Sequence, residues 1–377
     1  MKLDLNRREF LAASAATVAA TAMPVGAQSA AAPAGEWRNR QPNMTYRRLG
    51  RTGYMVSSIG MGGDDIEPNN IDQVLWAMDM GLNYFDTAPQ YARGMSEKGY
   101  AKVHKTRGRD KAFQSTKVNV FPNRTMTYAR LFRALPDDEQ AKITAQASDE
   151  IKTNKLAEPN YLGPYFDGQE GGMRSAIVSN ILSQKYADKV DAQKVYKQYI
   201  LDSVDKSLQS LETDHLDCLL MRGIETPYEV THTPEVFEAF EILKKAGKAR
   251  FLGFSAHSDP AGVLDAAIGT GVYAVGQIAY HFLNADRVDP VIEKAKKADF
   301  GVLCMKAGRV LLNPFNRRVT IPERVAALHK LMPGDQMTVM QKGFHFALQN
   351  PNLSAVIIGM TTLEQAKMNV PLAFAKA

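Results

Sequence analysis

Eight short apolar runs, each followed by an amphipathic segment, constrain this chain more than any other feature. They fall at 56–61 (VSSIGM), 83–86 (NYFD), 112–118 (AFQSTKV), 216–222 (LDCLLMR), 250–256 (RFLGFSA), 275–280 (VGQIAY), 301–306 (GVLCMK) and 354–359 (SAVIIG). Runs of this length between polar and turn-forming residues fit buried strands, and the segments between them carry apolar residues at helical spacing. In 194–211 the stripe is Val195, Tyr199, Ile200, Val204 and Leu208. In 234–246 it is Val236, Phe237, Phe240 and Leu243, with Thr233 at the N-cap, Pro234 in the first turn and Gly247 just past the end. Eight such units are the arithmetic of an α/β protein closed into a (β/α)8 TIM barrel. An open doubly wound sheet is the alternative, but no G-x-G-x-x-G follows the first run. The apolar share, 45% of 377 residues, is enough to fill the core of such a barrel.

One region breaks the rhythm. Residues 119–193 insert about 75 residues between the third run and its helix, far beyond ordinary loop lengths. The insertion contains a helical stretch (138–153) and then a Pro- and Gly-rich piece, PNYLGPYFDGQEGGMR. It leaves the carboxyl end of a strand, the face on which barrel active sites lie, so a substrate-covering lid is the expectation. A subunit contact or an ornament are the other readings.

The amino terminus has a different character. Asn6-Arg7-Arg8-Glu9-Phe10-Leu11 precedes an Ala-rich apolar run to Met23 and a small-residue end at Val25-Gly26-Ala27. A charged start, a short apolar region and a small-x-small end describe a secretory signal, and the paired arginines resemble the twin-arginine class. Residues 1–27 are therefore read as a twin-arginine signal peptide, which implies the Tat export machinery as a partner and a periplasmic or otherwise exported location. The apolar run, about 13 residues long, is too short for a spanning helix, so no stable membrane insertion is expected. Residues 28–43 (QSAAAPAGEWRNRQPN) read as a flexible linker, and 44–377 as the barrel.

Charge and cysteine content exclude other classes. The net charge of +6 is dispersed among acidic residues, with no basic stripe, so nucleic-acid binding is not expected. Cys218 and Cys304 lie in apolar runs and read as small buried hydrophobes. Two thiols cannot furnish a four-cysteine cluster, and no His/Asp spacing proposes a metal site.

Two segments carry a family resemblance. Tyr46-Arg47-Arg48-Leu49-Gly50-Arg51-Thr52-Gly53 with Val56-Ser57-Ser58-Ile59-Gly60-Met61-Gly62-Gly63, and Asn83-Tyr84-Phe85-Asp86-Thr87-Ala88-Pro89-Gln90-Tyr91 with Gly94-Met95-Ser96-Glu97, resemble the opening and the active-site segment of aldo-keto reductases. The resemblance continues through Lys117, Gly253-Phe254-Ser255, Gln277-Ile278-Ala279-Tyr280 and Ile358-Gly359-Met360-Thr361-Thr362. It covers about 45 to 375 apart from the insertion. It implies a nicotinamide-dependent oxidoreductase acting on a small carbonyl or sugar-like substrate.

Elementary chemistry agrees with what the resemblance implies. Reducing a carbonyl requires a proton donor to the oxygen as negative charge develops. Tyr91 is the candidate acid; Lys117 is expected to lower its pKa, with Asp86 holding Lys117 charged and oriented. Where the family carries a His after the fourth strand, this chain has Arg222. Arginine cannot cycle a proton near neutrality, but it is a fixed cation and a forked donor. Arg222 therefore marks either a preference for an acidic or polar substrate, or an impaired site that retains dinucleotide for a structural or sensing role. His257, in Phe254-Ser255-Ala256-His257, either replaces the missing His or braces a loop.

The cofactor implied is NADP, with NAD as the alternative. By resemblance, Gly62 lies at the cofactor site, Ser255 and Gln277 hold the nicotinamide carboxamide, Tyr280 stacks on its ring, and Lys306 meets the pyrophosphate. Gly359, Thr361, Thr362, Gln365 and Asn369 match the segment around the adenosine end. Gly359 and Gln365 occupy places where many relatives carry basic residues for a 2′-phosphate.

Overall fold

The computed structural model describes residues 35–375; the signal segment expected at 1–27 and the first part of the linker lie outside the described residues. Eight parallel strands close a barrel: β1 (Ile59–Gly62), β2 (Tyr84–Asp86), β3 (Phe113–Val118), β4 (Leu216–Ile224), β5 (Ala249–Ala256), β6 (Val275–Ala279), β7 (Gly301–Met305) and β8 (Ala355–Gly359). Neighbours in sequence are neighbours in space, and β8 closes on β1 with Gly359 opposite Gly62. All eight apolar runs thus become barrel strands. The first run is split, because only Ile59–Gly62 enters the barrel. Tyr54–Ser57 belongs to a small separate sheet, and the break falls at Ser58, whose N–H donates to the Thr45 carbonyl instead of a strand neighbour.

That small sheet plugs the amino end of the barrel. Its strands are Glu36–Trp37, Tyr46–Arg48 and Tyr54–Ser57. Leu49, Tyr54 and Val56 join Tyr84, Phe113, Cys218, Leu220, Val275, Leu303 and Ala355 in one buried cluster inside the barrel. Tyr54 stacks on Phe113 at 4.2 Å between centroids, an aromatic contact worth about 1 kcal/mol beyond its burial. Gly50 has φ +49°, and a Cβ there would lie 2.1 Å from the Gly301 nitrogen, so the plug seats only because residue 50 has no side chain.

The plug begins earlier than the linker reading anticipated. Glu36 and Trp37 pair with Tyr54 and Met55. Arg38 lies 3.0 Å from Asp217 and 4.4 Å above the Phe113 ring, and Asn39 donates to the Met78 and Leu82 carbonyls at 2.6 and 3.1 Å. From Gly35 onward the polar residues that suggested a solvated linker instead satisfy buried acceptors on the barrel floor.

Helices cover the barrel wall. Pro234–Lys245 forms where expected, and Gly247 follows it with φ +72°. Thr233 precedes it, but its hydroxyl donates to the Glu229 carbonyl at 2.9 Å and does not cap the helix. The 194–211 stripe becomes the helix Tyr199–Leu211, preceded by a wider π-turn at Gln193–Gln198. Both cysteines are free and buried.

The insertion folds as helices Val120–Arg133, Asp137–Thr153 and Gln169–Lys185, and is tied to several strand ends. Arg124, fully buried, donates to Asn180 Oδ1 (2.7 Å), Ser183 Oγ (2.9 Å), the Ser179 carbonyl (3.1 Å) and Glu229 Oε1 (3.3 Å). The Tyr161 hydroxyl donates to Asp259 beyond β5, and Arg324 holds the Pro164 carbonyl at 3.1 Å.

Candidate active site

Strand parity builds the site. Side chains two residues apart face the same side of a strand. The inward residues of the barrel core therefore lead upward to Tyr84→Asp86, Phe113→Ser115→Lys117, Cys218→Leu220→Arg222 and Val275→Gln277, and Leu303→Met305 follows on β7. Polar groups gather at the carboxyl rim because that is where the apolar ladder ends.

Lys117 and Asp86 form the centre. Lys117 Nζ donates to Asp86 Oδ1 at 2.5 Å and to the Thr87 carbonyl at 3.0 Å, with both side chains buried. Asp86 also accepts from Ser115 Oγ (3.3 Å) and Gln277 Nε2 (3.2 Å). Burial lowers the Lys117 pKa, and Asp86 opposes that fall. A buried pair of this kind persists because removing either partner would strand a charge in low dielectric.

Tyr91 lies above this pair, with Lys117 Nζ 4.6 Å from its ring centroid. The chain after it is wound tightly: Ala92 and Arg93 have φ +48° and +54°, and the Ala92 N–H donates to the Asp64 carbonyl at 2.9 Å. Two non-glycine residues in the left-handed region cost roughly 1–3 kcal/mol each, a local strain that presents the phenol. Contrary to the expectation from sequence, the Tyr91 pKa is held well above its ordinary value. Burial is the chief cause, with Asp86 and Asp64 adding and Arg222 opposing. The ammonium of Lys117 is paired at close range with Asp86, and burial outweighs the cations around the phenol.

Arg222 stands on the same rim, opposite Ser255 across the β4–β5 ladder, just before a bulge at Gly223. Its Nη1 donates to Asn119 Oδ1 at 3.1 Å, and among the described residues no carboxylate lies within 4.0 Å of it. His257 lies just past β5, and its pKa is pushed well below the ordinary value by burial and then by Lys306, Arg222 and Lys117. Its Nδ1 is 2.7 Å from the hydroxyl of Tyr165, which the insertion supplies. Glu225 accepts from the Ser258 N–H at 3.0 Å, and burial pushes its carboxyl up to about 7.

The cofactor residues divide. Ser255 Oγ and Gln277 Nε2 both reach Met305 Sδ, at 3.8 and 3.9 Å, while Gln277 Oε1 is buried with no partner. An orphaned amide oxygen in the barrel mouth fits the NH2 of a carboxamide. Tyr280 does not join them. It lies three residues beyond Gln277 and so faces the opposite side, into the helical layer. There its hydroxyl donates to Asp289 Oδ1 at 2.8 Å and its ring lies 6.1 Å from Phe346. Its ring is thus packed among the helices and is not presented to the barrel mouth, where the resemblance had it stack. Lys306 would also face outward by parity, but its φ of +67° turns it back to within 4.0 Å of Asp64.

At the other end, Gly62 and Gly359 adjoin across the β8–β1 seam. Gln365 Oε1 accepts from the Thr361 N–H at 2.8 Å, and Thr362 accepts from the Gln365 N–H at 3.2 Å. Two of the amides expected to cradle phosphate are thus satisfied within the segment. Asn369 ends the helix Leu363–Asn369, partly exposed.

Five site residues escaped the sequence reading: Asp64, Asn119, Tyr165, Glu225 and Met305. The Asp64-Asp65 pair directly after Gly62-Gly63 was a usable signal for the first. Parity from Leu303 would have found Met305. Nothing local distinguishes Tyr165 within the insertion. Among the described residues no group of His, Cys, Asp and Glu could hold a metal ion, and no helix is long and apolar enough to cross a membrane.

Comparison with known proteins places this geometry in context. The profile of the Aldo/keto reductase family matches residues 173–375. L-galactose dehydrogenase of Arabidopsis thaliana is 22% identical over 343 residues, covering 86% of each chain. The uncharacterized oxidoreductase YqkF of Bacillus subtilis is 23% identical, covering 88% of this chain and 92% of its own. An aldo-keto reductase from Bacillus halodurans in its holo form shares the fold with a TM-score of 0.57 at 20% identity, covering 88% of this chain and 92% of that one. An aldo/keto reductase from Klebsiella pneumoniae, solved with NADP and acetate, does so with a TM-score of 0.51 at 17% identity, over 89% and 92%. With a profile spanning more than half of its length and the closed eight-stranded barrel beneath a rim of Asp, Lys and Tyr, this chain belongs to the aldo/keto reductase family of oxidoreductases.

Proposed function

We propose that this protein is a nicotinamide-dependent oxidoreductase that reduces a carbonyl, or oxidises the alcohol in reverse, on a small sugar-like or acidic substrate. The observation that carries this reading is the buried Asp86–Lys117 pair directly beneath the Tyr91 ring. Bound dinucleotide supplies or accepts the hydride. Tyr91 gives its phenolic proton to the carbonyl oxygen, and its raised pKa keeps it protonated across the neutral range, as an acid must be. Arg222 offers positive charge to the oxygen as it becomes an alkoxide, while Lys117, held by Asp86, lies beneath the phenol. Ser255 and Gln277 would hold the carboxamide and Lys306 the pyrophosphate, with Met305, in contact with the first two, in place of Tyr280 beside the ring.

NADP is the proposed dinucleotide, by the family resemblance and the NADP of the Klebsiella pneumoniae relative. NAD competes because Gly359 and Gln365 offer no cation to a 2′-phosphate; titration with both separates them. The sugar-like substrate accords with the name of the Arabidopsis thaliana relative. Export through the twin-arginine route, which moves folded protein, would deliver the enzyme with its dinucleotide already inside.

Tyr91→Phe tests the assignment. Turnover should fall by a factor of at least about a thousand while dinucleotide binding, followed by quenching of protein fluorescence, stays within about twofold. Full activity of that variant on any carbonyl substrate refutes Tyr91 as the acid.

A further inference from the structure

The insertion does more than cover the barrel. Its Pro-Gly-rich piece brings Tyr165 and Phe166 onto His257, with ring centroids 5.9 and 5.7 Å from the imidazole. Tyr165 is buried, and its hydroxyl pairs with His257 Nδ1 at 2.7 Å. His257 is partly exposed and two residues beyond the inward-facing Ser255, at the rim that holds Arg222 and Lys306. The turn that delivers Tyr165 depends on Gly163 at φ +49°, where a Cβ would meet the His281 ring at 2.9 Å.

We propose that Tyr165 fixes His257 as a substrate-contacting residue, by donating its hydroxyl to Nδ1 and so leaving the proton on Nε2, directed at the substrate. The proposal rests on the carbonyl-reductase reading above. An imidazole nitrogen is a better acceptor than a phenol oxygen, so the hydrogen runs from Tyr165 to His257. The other nitrogen of a neutral ring must then carry the proton. Burial and the surrounding cations, Lys306, Arg222 and Lys117, hold the ring neutral, and Glu225 and Arg309 flank Tyr165 itself. His257 Nε2–H and the Arg222 fork would then offer two fixed donors to one face of the substrate, without any proton passing through either. Tyr165 is a positioning residue in this arrangement, and the insertion is what completes the rim.

The test uses the full chain with 15N-labelled histidine. In the wild type, His257 should show the Nε2–H tautomer from about pH 6 to 8, in the free protein and without substrate. Tyr165→Phe should mix the tautomers and lower kcat/KM roughly ten- to thirtyfold, with dinucleotide affinity unchanged and Tm close to that of the wild type. His257→Gln removes the imidazole and should itself lower kcat/KM at least as far as Tyr165→Phe does, and in that background Tyr165→Phe should cause no further loss. An Nδ1–H tautomer in the wild type overturns the proposal whatever the variants do. So does Tyr165→Phe with wild-type kcat/KM, or an undiminished effect of Tyr165→Phe in the His257→Gln background. Because the tautomer is read without turnover, failure here is separable from failure of the Tyr91 assignment, which would appear as full activity of Tyr91→Phe.

Discussion

Replacing Arg222 tests how this site chooses its substrate. The guanidinium is half-buried on the active-site rim, its side chain bonded to Asn119, with no carboxylate within 4.0 Å among the described residues. A permanent cation left unneutralised there should attract an anionic group on the substrate and stabilise oxygen charge in the transition state. A hydrogen bond to a charged group contributes about 1.5–3 kcal/mol, and partial exposure places Arg222 within that range instead of above it. The expected loss for Arg222→Ala is therefore about tenfold to a hundredfold in kcat/KM for a carboxylate-bearing aldehyde. The methyl ester of the same aldehyde should lose about fivefold or less, from the smaller contribution to the oxygen. Arg222→Lys keeps the charge without the fork and should fall between. Arg222→His should lose activity on the acid and gain some on neutral aldehydes. The assay is initial-rate kinetics of nicotinamide absorbance for acid and ester at two ionic strengths, where only the acid should weaken with salt. Equal losses on acid and ester, or a wild type that prefers the ester, refute the reasoning. A wild type that reduces neither, with ordinary aldehyde reduction restored by Arg222→His, identifies an impaired site that retains dinucleotide binding.

Three further outcomes can be measured. Because burial raises the Glu225 carboxyl to about 7, it is neutral below that pH and anionic above it. Its ionisation offsets Arg222, so KM for an acidic substrate should rise as pH passes from about 6 to 8, and Glu225→Gln should flatten that profile; an unchanged profile refutes the coupling. Arg124→Met leaves Glu229 buried without its cation and removes the hydrogen bonds that join two helices of the insertion to each other. Urea unfolding should register a loss of about 3–5 kcal/mol, and a change under about 1 kcal/mol would show that the ion pair is not what holds the insertion. Replacing Arg7 and Arg8 together by Lys should leave precursor in the cytoplasm on fractionation, whereas normal export would exclude the twin-arginine route.

By itself the sequence determined the barrel, because eight buried runs at regular spacing leave few other ways to hide so much apolar strand surface. Through the resemblance it also named Asp86, Tyr91, Lys117 and Arg222; Asp86, Lys117 and Arg222 lie on strands that set them on the rim, and Tyr91 follows in the turn after β2. Ser255, Gln277 and Lys306 were named through the resemblance; Lys306 reaches the rim only because its φ of +67° turns it back against the parity of its strand. The fate of Tyr280 could have been read from the period of two along β6, which places it opposite Gln277 and into the helical layer. Tertiary structure alone decided the rest. The Tyr91 pKa is raised chiefly by burial and then by the nearby Asp86 and Asp64 carboxylates, and no spacing along the chain fixes either. Tyr165 meets His257 across 92 residues of chain, and Arg38, read as linker, pairs with Asp217 far along the sequence. Periodicity records which face of its own element a residue occupies. It carries no record of which distant element closes over that face, and the electrostatics of this site are set by those closures.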